Sequence, residues 1–288
     1  MKLKFLGAGA SEGIPAIFCH CALCERARRT GRLFTRSQLL VDDVLLIDFP
    51  PDSYYRSIAM GVELADIRNI LVTHSHSDHF YADDFFMRGL ASSHGLKVPV
   101  LKIYANRAVT ALLDQCRGGY PAGTYRHIST DEVHSYKEYP QSTEYVNVRP
   151  FQKFRVDGYE VTALPANHIP SEECLIFAVS DGDKSFLYAT DTSMPSEETF
   201  AFLKRGGYRF DAVICDATYG TLPVSEGHMN FRDLVVVRER LIRDGVIGEH
   251  TLNLATHVSH NAVESLDALE HSLPEGFELA CDGKELWL

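Results

Sequence analysis

The sequence predicts an α/β fold in which two mixed β-sheets pack face to face with helices outside. Two observations lead to this prediction. In the first half of the chain, short apolar runs resemble hairpins and a meander, whereas the later runs alternate with segments of helical apolar spacing. In addition, several runs end at a histidine or an aspartate. Residues at strand ends, presented on loops by a rigid sheet, often carry out chemistry.

The individual elements follow in chain order. A strand is predicted at KLKFLG, a hairpin at SQLLVDDVLLIDF, a helix at ELADIRN and a buried strand at NILVTH. The next predictions are a helix at ADDFFMRGLASSH and a strand at VPVLKIYAN. Later strands are expected at EVTALPANH, CLIFAVSDG, KSFLYATD, DAVICDA and LNLATH, and helices near Pro195–Lys204, Phe231–Arg243 and Ala262–His271. Without a repeat or a low-complexity linker, the chain is expected to form a single domain over residues 1–288.

Composition narrows the function classes. The formal net charge of −11 argues against sequence-independent binding of nucleic acids, which needs clustered lysine and arginine. No window approaches the ~20 apolar residues of a membrane span, and no signal-peptide pattern is visible. The seven cysteines are an odd number, and four of them are scattered singly. We therefore expect a cytoplasmic protein that binds neither nucleic acid nor membrane.

The strongest chemical signal is THSHSDHF, which places four metal-ligating side chains within six residues: His74, His76, Asp78 and His79. His74 and His76 are two residues apart on an extended segment, so their rings can converge on one ion. Asp78 and His79 lie at the following turn and can face a second ion. The run therefore predicts a metal site.

A His-x-His-x-Asp-His run after a strand resembles the signature of the metallo-β-lactamase superfamily. The resemblance implies the metallo-β-lactamase fold, an αββα sandwich, with further ligands at later strand ends. The implied ligand groups are His74, His76 and His168 for one ion, Asp78, His79 and His257 for the other, and Asp191 as the bridge. Asp48 in LLIDFP matches an acidic residue that orients a ligand. Five imidazoles and two carboxylates suit Zn, Mn or Fe.

The cysteines of FCHCALC allow several interpretations: a redox pair, a metal site, or reduced thiols without a metal. Cys21 and Cys24 have the C-x-x-C spacing of redox motifs, but the third thiol at Cys19 fits a tetrahedral zinc ion better. Such a site needs a fourth ligand. His20 lies between two cysteines, and its side chain should point away from theirs. His260, three residues after His257, is better placed.

Combined with the glycine-rich start and the late T-H-x-S-H, these motifs resemble the PhnP-type phosphoribosyl cyclic phosphate phosphodiesterases of phosphonate degradation. The resemblance implies one structural zinc ion and a homodimer. Its implied zinc ligands are Cys19, Cys21, Cys24 and His260. It also implies an active-site role for His228 in EGHMNF, in stabilising transition-state charge or protonating the leaving oxygen. Asp78, besides its place among the ligands, and His228 are the residues that we expect to be catalytic.

We therefore expect a phosphodiesterase that opens a small cyclic phosphate diester, such as 5-phosphoribosyl 1,2-cyclic phosphate. The nucleophile would be a hydroxide held by two divalent ions, Mn or Zn. A tRNA 3′-processing nuclease of the same superfamily is an alternative that should carry a basic exosite. A pyrroloquinoline quinone biosynthesis protein is another, although it tends to lack the full ligand set. The non-enzyme alternative is a zinc-organised interaction module.

The segment 117–146 is longer and more polar than the resemblance leads us to expect, and it is rich in tyrosine. We predict that it forms a lid over the metals or a dimer contact.

Overall fold

The computed structural model describes residues 1–88, 93, 96–119 and 143–288. Within them, fourteen strands form two seven-stranded sheets, which confirms the predicted fold of two packed mixed sheets. The first sheet has the order β14-β1-β2-β3-β4-β5-β6. Its strands are β1 (Lys2–Gly7), β2 (Gln38–Val41), β3 (Leu45–Ile47), β4 (Asn69–Leu71), β5 (Leu101–Ala105), β6 (Thr143–Asn147) and β14 (Glu285–Trp287). The second sheet consists of β7 (Lys153–Val156), β8 (Tyr159–Pro165), β9 (Leu175–Ser180), β10 (Ser185–Ala189), β11 (Ala212–Asp216), β12 (Leu252–Thr256) and β13 (Glu278–Leu279).

Both sheets are mixed, as predicted, but antiparallel and parallel pairs are distributed along the chain differently from the expectation. In the first sheet, the pairs from β14 to β3 are antiparallel and those from β3 to β6 are parallel. The second sheet repeats this arrangement, with antiparallel pairs from β7 to β10 and parallel pairs from β10 to β13. The expected division into a hairpin half and a helix-alternating half is therefore wrong. Each half starts with antiparallel strands and continues with parallel ones, which need crossover connections.

The described helices are α1 (Ala22–Thr30), α2 (Ser53–Met60), α3 (Arg107–Gly119), α4 (Glu197–Arg205), α5 (Phe231–Arg243) and α6 (Leu266–His271). The prediction for α5 is confirmed at both ends, whereas α6 begins four residues later than expected. Its start is set by Ser265, whose side chain accepts a hydrogen bond from the Ala268 backbone. None of these helices is long and apolar enough to cross a membrane.

Two predicted helices are only short 3₁₀ segments in the described residues, at Leu64–Asp66 and Ala82–Met87. The first cannot lengthen because the chain turns extended at Ile67 and pairs in β4 two residues later. The end of the second prediction, residues 89–92 and 94, lies outside the described residues.

Alternating side chains build two cores on the two faces of the first sheet. Leu39 and Val41 of β2 pack between the sheets with Phe177 of β9 and Tyr188 of β10. Leu40, between them in sequence, packs on the other face in the core that includes residues of α3. Burying one such leucine contributes roughly 1.5–3 kcal/mol. The strands are therefore rigid supports for the residues at their ends.

Among the residues with left-handed backbone conformations, three follow strands and are predicted site residues: Asp48 (φ 66°), Asp191 (φ 48°) and His257 (φ 58°). This region is unfavourable for residues other than glycine, and such strain concentrates at functional sites. The glycine-rich loop after β1 lies beside the last of these residues, because Gly9 forms a parallel bridge with Val258. A Cβ on Gly9 would lie 2.5 Å from the Phe34 carbonyl oxygen, so only glycine fits this approach.

The predicted lid or dimer contact over 117–146 cannot be followed. Residues 120–142 lie outside the described residues, and the flanking parts belong to the end of α3 and to β6.

Candidate metal centre

His74, His76 and His168 each bring one ring nitrogen to a common point. His168 Nε2 lies 3.2 Å from His76 Nδ1. Two ligand nitrogens of a tetrahedral ion, each about 2.1 Å from it, are about 3.4 Å apart. His168 Nδ1 lies 2.9 Å from the Gly227 carbonyl oxygen, which can only accept, so Nδ1 carries the proton. His168 Nε2 is thereby left with a lone pair for a cation.

The ring nitrogens of His74 also indicate a cation site, because one of them is buried without a partner. Its Nδ1 lies 3.0 Å from Thr73 Oγ1, whereas its buried Nε2 has no hydrogen-bond partner among the described residues. Leaving a buried polar atom unpaired costs about 1–3 kcal/mol. Burial, together with the neighbouring His79, holds the pKa of His74 well below its usual value. The ring is therefore neutral, and a cation would satisfy its free nitrogen.

A second group consists of Asp78, His79 and His257. The Nε2 atoms of His79 and His257 are 3.2 Å apart, and Asp78 Oδ2 lies 3.4 Å from His79 Nε2. A hydrogen bond at Nδ1, on the side of the ring away from the proposed ion, fixes the orientation of each histidine. His79 Nδ1 donates to Asp48 Oδ2 at 2.7 Å, and His257 Nδ1 donates to Thr218 Oγ1 at 2.7 Å. Their Nε2 atoms face each other and the nearby carboxylates. Burial lowers the pKa of both rings, but Asp191 and the other carboxylates outweigh it and raise the pKa, so a bound cation would displace the Nε2 protons.

Asp191 lies between the two groups and presents one oxygen to each. Its Oδ1 is 3.8 Å from His168 Nε2, and its Oδ2 is 3.1 Å from His257 Nε2 and in contact with His79 Nε2. Oδ2 is buried and makes no hydrogen bond of acceptable geometry. Although burial raises the pKa of Asp191, the nearby histidines hold it well below the usual value. This ionised carboxylate has the position required of a bridge between two cations.

Asp48 holds the candidate ligand His79 in place through a hydrogen bond. It is fully buried, and its Oδ1 accepts a hydrogen bond from the Thr73 backbone at 2.8 Å. Through its contact with His79, it fixes which ring nitrogen carries the proton. The structure thus brings Asp48 to the ligand that it was predicted to orient, and its effect on metal binding stays a prediction.

His228 lies beside the two groups, with its Nδ1 3.5 Å from Asp191 Oδ1. The same nitrogen donates to Asp216 Oδ2 at 2.8 Å. Burial lowers the pKa of His228, but Asp216 outweighs this effect and raises it to about 9. His228 is therefore a positively charged donor next to the candidate centre.

The sequence interpretation gave no role to Asp216 or Thr218. Asp216 Oδ1 accepts from the Thr218 backbone and Oδ2 from the Asp191 backbone, both at 2.9 Å. Because its oxygens already accept these protein donors and His228, we interpret Asp216 as a support for the site and not as a ligand. A signal was available, since β11 ends at Asp216 just as other strands end next to predicted ligands.

A separate group contains Cys19, Cys21, Cys24 and His260. Cys19 Sγ and Cys21 Sγ each lie 3.6 Å from His260 Nδ1. A sulfur and a nitrogen bound to one tetrahedral zinc ion are about 3.5 Å apart. Backbone N–H groups of Cys21 and Ala16 donate to the sulfurs of Cys19 and Cys24 at 3.3 and 3.2 Å. These contacts favour thiolates, the form that binds zinc.

Protonation differs within this group. Burial raises the pKa of Cys21, but the Cys24 backbone N–H and the His260 ring lower it to about 6. Burial raises the pKa of Cys24 to about 11, and a bound cation would reverse this preference. His20 is outside the group, exposed and 2.7 Å from Glu25 Oε1, as its position in the sequence predicts. The four residues thus fit a closed zinc site, and zinc binding itself stays a prediction.

Comparison with known proteins gives one family match. The family described as "Beta-lactamase superfamily domain" matches residues 45–250. This range includes the THSHSDHF run, whereas the cysteine cluster and His257 lie outside it.

Solved structures share the fold along the whole chain. "A New Diphosphatase from the PhnP Family" is 24% identical with a TM-score of 0.71, covering 100% of this chain and 97% of that one. Zn(2+)-bound PqqB from Methylobacterium extorquens is 17% identical with a TM-score of 0.64, covering 100% of both chains. Human tRNase Z, short form, is 15% identical with a TM-score of 0.64, covering 100% of this chain and 99% of that one. At these identities the likeness shows the fold alone.

A curated relative matches only in part. An octanoyltransferase of Porphyromonas gingivalis (strain ATCC BAA-308 / W83) is 34% identical over 82 residues, which are 27% of this chain and 16% of that protein. The chain thus spans about a sixth of that relative's length, and the match does not bear on octanoyl transfer.

Proposed function

Because this chain belongs to the metallo-β-lactamase superfamily, we propose that it is a metal-dependent phosphodiesterase acting on a small cyclic phosphate diester. One observation carries the proposal: Asp191 presents its two oxygens to two separate ligand groups, with Oδ1 3.8 Å from His168 Nε2 and Oδ2 3.1 Å from His257 Nε2. A carboxylate between two ligand groups could hold two ions close together, and two-metal sites of that kind catalyse in-line displacement at phosphorus in phosphatases and nucleases.

The ligand groups define what the site would hold. One divalent ion, Mn or Zn, would be held by His74, His76 and His168, and the other by Asp78, His79 and His257. When bound, such ions lower the pKa of a water molecule and neutralise charge on phosphoryl oxygens. The protein contributes imidazole nitrogens, fixes the orientation of the His79 and His257 rings through hydrogen bonds at Nδ1, and supplies the negative charge of Asp78 and Asp191.

His228 has a role of its own in this proposal. It is a charged donor, held by Asp216, on the side of the site where Asp191 Oδ1 lies. From this position it stabilises negative charge that develops on a phosphoryl oxygen or donates a proton to the leaving oxygen. Both roles act in the transition state and need no change in metal binding.

The choice of a cyclic diester rests on the resemblance of the His/Asp run and the cysteine cluster to the PhnP-type phosphodiesterases. We propose 5-phosphoribosyl 1,2-cyclic phosphate or a similar molecule as the substrate. The PhnP-family structural neighbour is described as a diphosphatase, so a phosphoric anhydride belongs in the same screen. A tRNA substrate is disfavoured by the net charge of −11, although human tRNase Z shares the fold.

The proposal is tested by turnover. Metal-loaded protein is expected to hydrolyse bis-p-nitrophenyl phosphate and to open ribose cyclic phosphates, and chelator-treated protein is expected to lose this activity and regain it with Mn²⁺ or Zn²⁺. Hydrolysis of an anhydride with no action on diesters would instead favour a diphosphatase. Salt-sensitive binding and cleavage of precursor tRNA would favour the nuclease.

Replacing His228 is expected to slow the reaction without emptying the site. We predict that His228→Gln lowers kcat by roughly 10²–10⁴-fold, since a positioned acid or charge-stabilising donor contributes about that much. KM and the metal content per chain should stay near the wild-type values. The measurement is steady-state kinetics together with elemental analysis. A variant with wild-type kcat would remove His228 from the mechanism.

A further inference from the structure

Glu172 lies on the turn that connects His168 to β9. It accepts hydrogen bonds from Ser75, the residue between the predicted ligands His74 and His76. Its Oε1 accepts a hydrogen bond from the Ser75 backbone N–H at 2.9 Å. Its Oε2 accepts from the Ser75 hydroxyl at 2.5 Å. Ser75 separates His74 from His76 in sequence. A single carboxylate therefore fixes both donors at the centre of the His-x-His segment.

A third donor to Glu172 comes from Asn106, which is 1% exposed. Asn106 Nδ2 lies 2.7 Å from Glu172 Oε1 and 2.9 Å from the Glu173 carbonyl oxygen. Its Oδ1 accepts from the Val109 backbone at the start of α3. The turn of the second sheet is thereby joined to a helix start that follows β5 and to the His-x-His segment that follows β4, both in the first sheet.

This network bears on the site because its ligands come from different sheets. His74 and His76 follow a strand of the first sheet, and His168 follows a strand of the second. Glu172 is four residues from His168, and it accepts two hydrogen bonds from Ser75, which lies between His74 and His76 in the sequence. Glu172 therefore fixes the distance between the two ligand-bearing segments. With three protein donors directed at its oxygens, Glu172 acts as a support and not as a ligand.

We propose that Glu172 is a positioning residue that sets the affinity of the His74–His76–His168 site for a divalent cation. Ligands held in place before binding lose less conformational entropy when the cation enters. Groups that orient metal ligands typically change affinity 10–100-fold when they are removed. The inference rests on the ligand set of the proposed function and not on its substrate, because its test measures cation binding.

The test compares Glu172→Ala with Glu172→Gln, and uses Glu173→Ala, an exposed neighbour of the same charge, as the matched control. Dissociation constants for Zn²⁺ and Co²⁺ are measured by competition with a chromophoric chelator, and the visible spectrum of bound Co²⁺ reports which ligand set is altered. We expect Glu172→Ala to weaken one constant 10–100-fold and to leave the cysteine site and the Asp78–His79–His257 site unchanged. Glu172→Gln keeps an acceptor for Ser75, so its dissociation constant should lie between those of the wild type and Glu172→Ala. Glu173→Ala should have the wild-type constant.

The outcomes separate the two proposals. If wild-type protein binds cations but Glu172→Ala has the same constants, the inference is wrong and the proposed function stands. Equal weakening at every site would also overturn the inference, since it would indicate a general structural role. Wild-type protein that binds no cation at the three histidines would overturn both. If Glu172→Ala does not fold, Ser75→Ala decides, because it removes one donor and should weaken the same constant alone.

Discussion

Asp191→Asn is expected to abolish the two-metal centre. The substitution keeps the size of the side chain, but it removes the negative charge whose oxygens face His168 and His257. An amide nitrogen in place of one oxygen would also direct hydrogens at one of the two groups. We predict a loss of at least about 10³-fold in phosphodiester turnover, since two bound ions would activate the attacking water and neutralise charge in the transition state.

Elemental analysis of the variant should show that the catalytic ions are lost or weakly held while one zinc ion remains. Asp183→Asn, at an exposed turn, is the matched control and should behave as the wild type. An Asp191→Asn protein with wild-type turnover and metal content would show that the carboxylate does not join two ions.

Cys24→Ser is expected to have the largest effect on stability. Cys24 is the fully buried member of the cysteine cluster, and burial raises the pKa of its thiol so that a nearby cation is needed for it to ionise. The cluster joins the start of α1 to His260, and the ion pair between Arg26 and Asp267 joins the same two segments at the surface. An exposed ion pair contributes at most about 1 kcal/mol, so we expect a bound zinc ion to strengthen this connection more than the ion pair does.

We predict that Cys24→Ser loses one zinc ion per chain and at least about 3 kcal/mol in the free energy of unfolding. Zinc analysis and urea unfolding measure the two effects. Cys281→Ser, a half-buried cysteine outside the cluster, should retain zinc and lose little stability. Equal zinc content and equal stability in Cys24→Ser and wild-type protein would contradict a zinc site and favour reduced thiols without a metal.

Local patterns predicted much of the fold because the strands are short, strongly apolar runs. The helix α2 was missed for a physical reason. Tyr54 and Tyr55 are mostly exposed, while Arg56 is buried and donates to the Leu6 carbonyl oxygen. In α2, aromatic residues are therefore exposed and a charged residue is buried, the reverse of the usual relation between hydrophobicity and burial. Likewise, α1 buries only Leu23, Cys24 and Ala27, too few apolar residues for a clear helical period.

In the candidate site, too, some residues could be predicted from the sequence and others could not. The candidate ligands that the structure brings together could be selected from the sequence because they lie in a dense His/Asp run or at strand ends, where the pattern is local. A supporting residue is harder to assign when its partners are distant in the sequence. Glu172, for example, meets Ser75 across 97 residues and Asn106 across 66. Such contacts depend on how the two sheets pack, which no short motif encodes.

The most direct test of a two-metal centre with a separate zinc site is the metal content of the purified wild-type protein. After growth with added Mn²⁺ and Zn²⁺, we predict about three ions per chain, of which at least one is zinc. Brief chelation should remove the two ions of the centre together with diester hydrolysis, and leave the cysteine-bound zinc. A protein that holds about one zinc ion per chain under all conditions, and hydrolyses no phosphodiester, would contradict the two-metal centre and favour a zinc-organised interaction module.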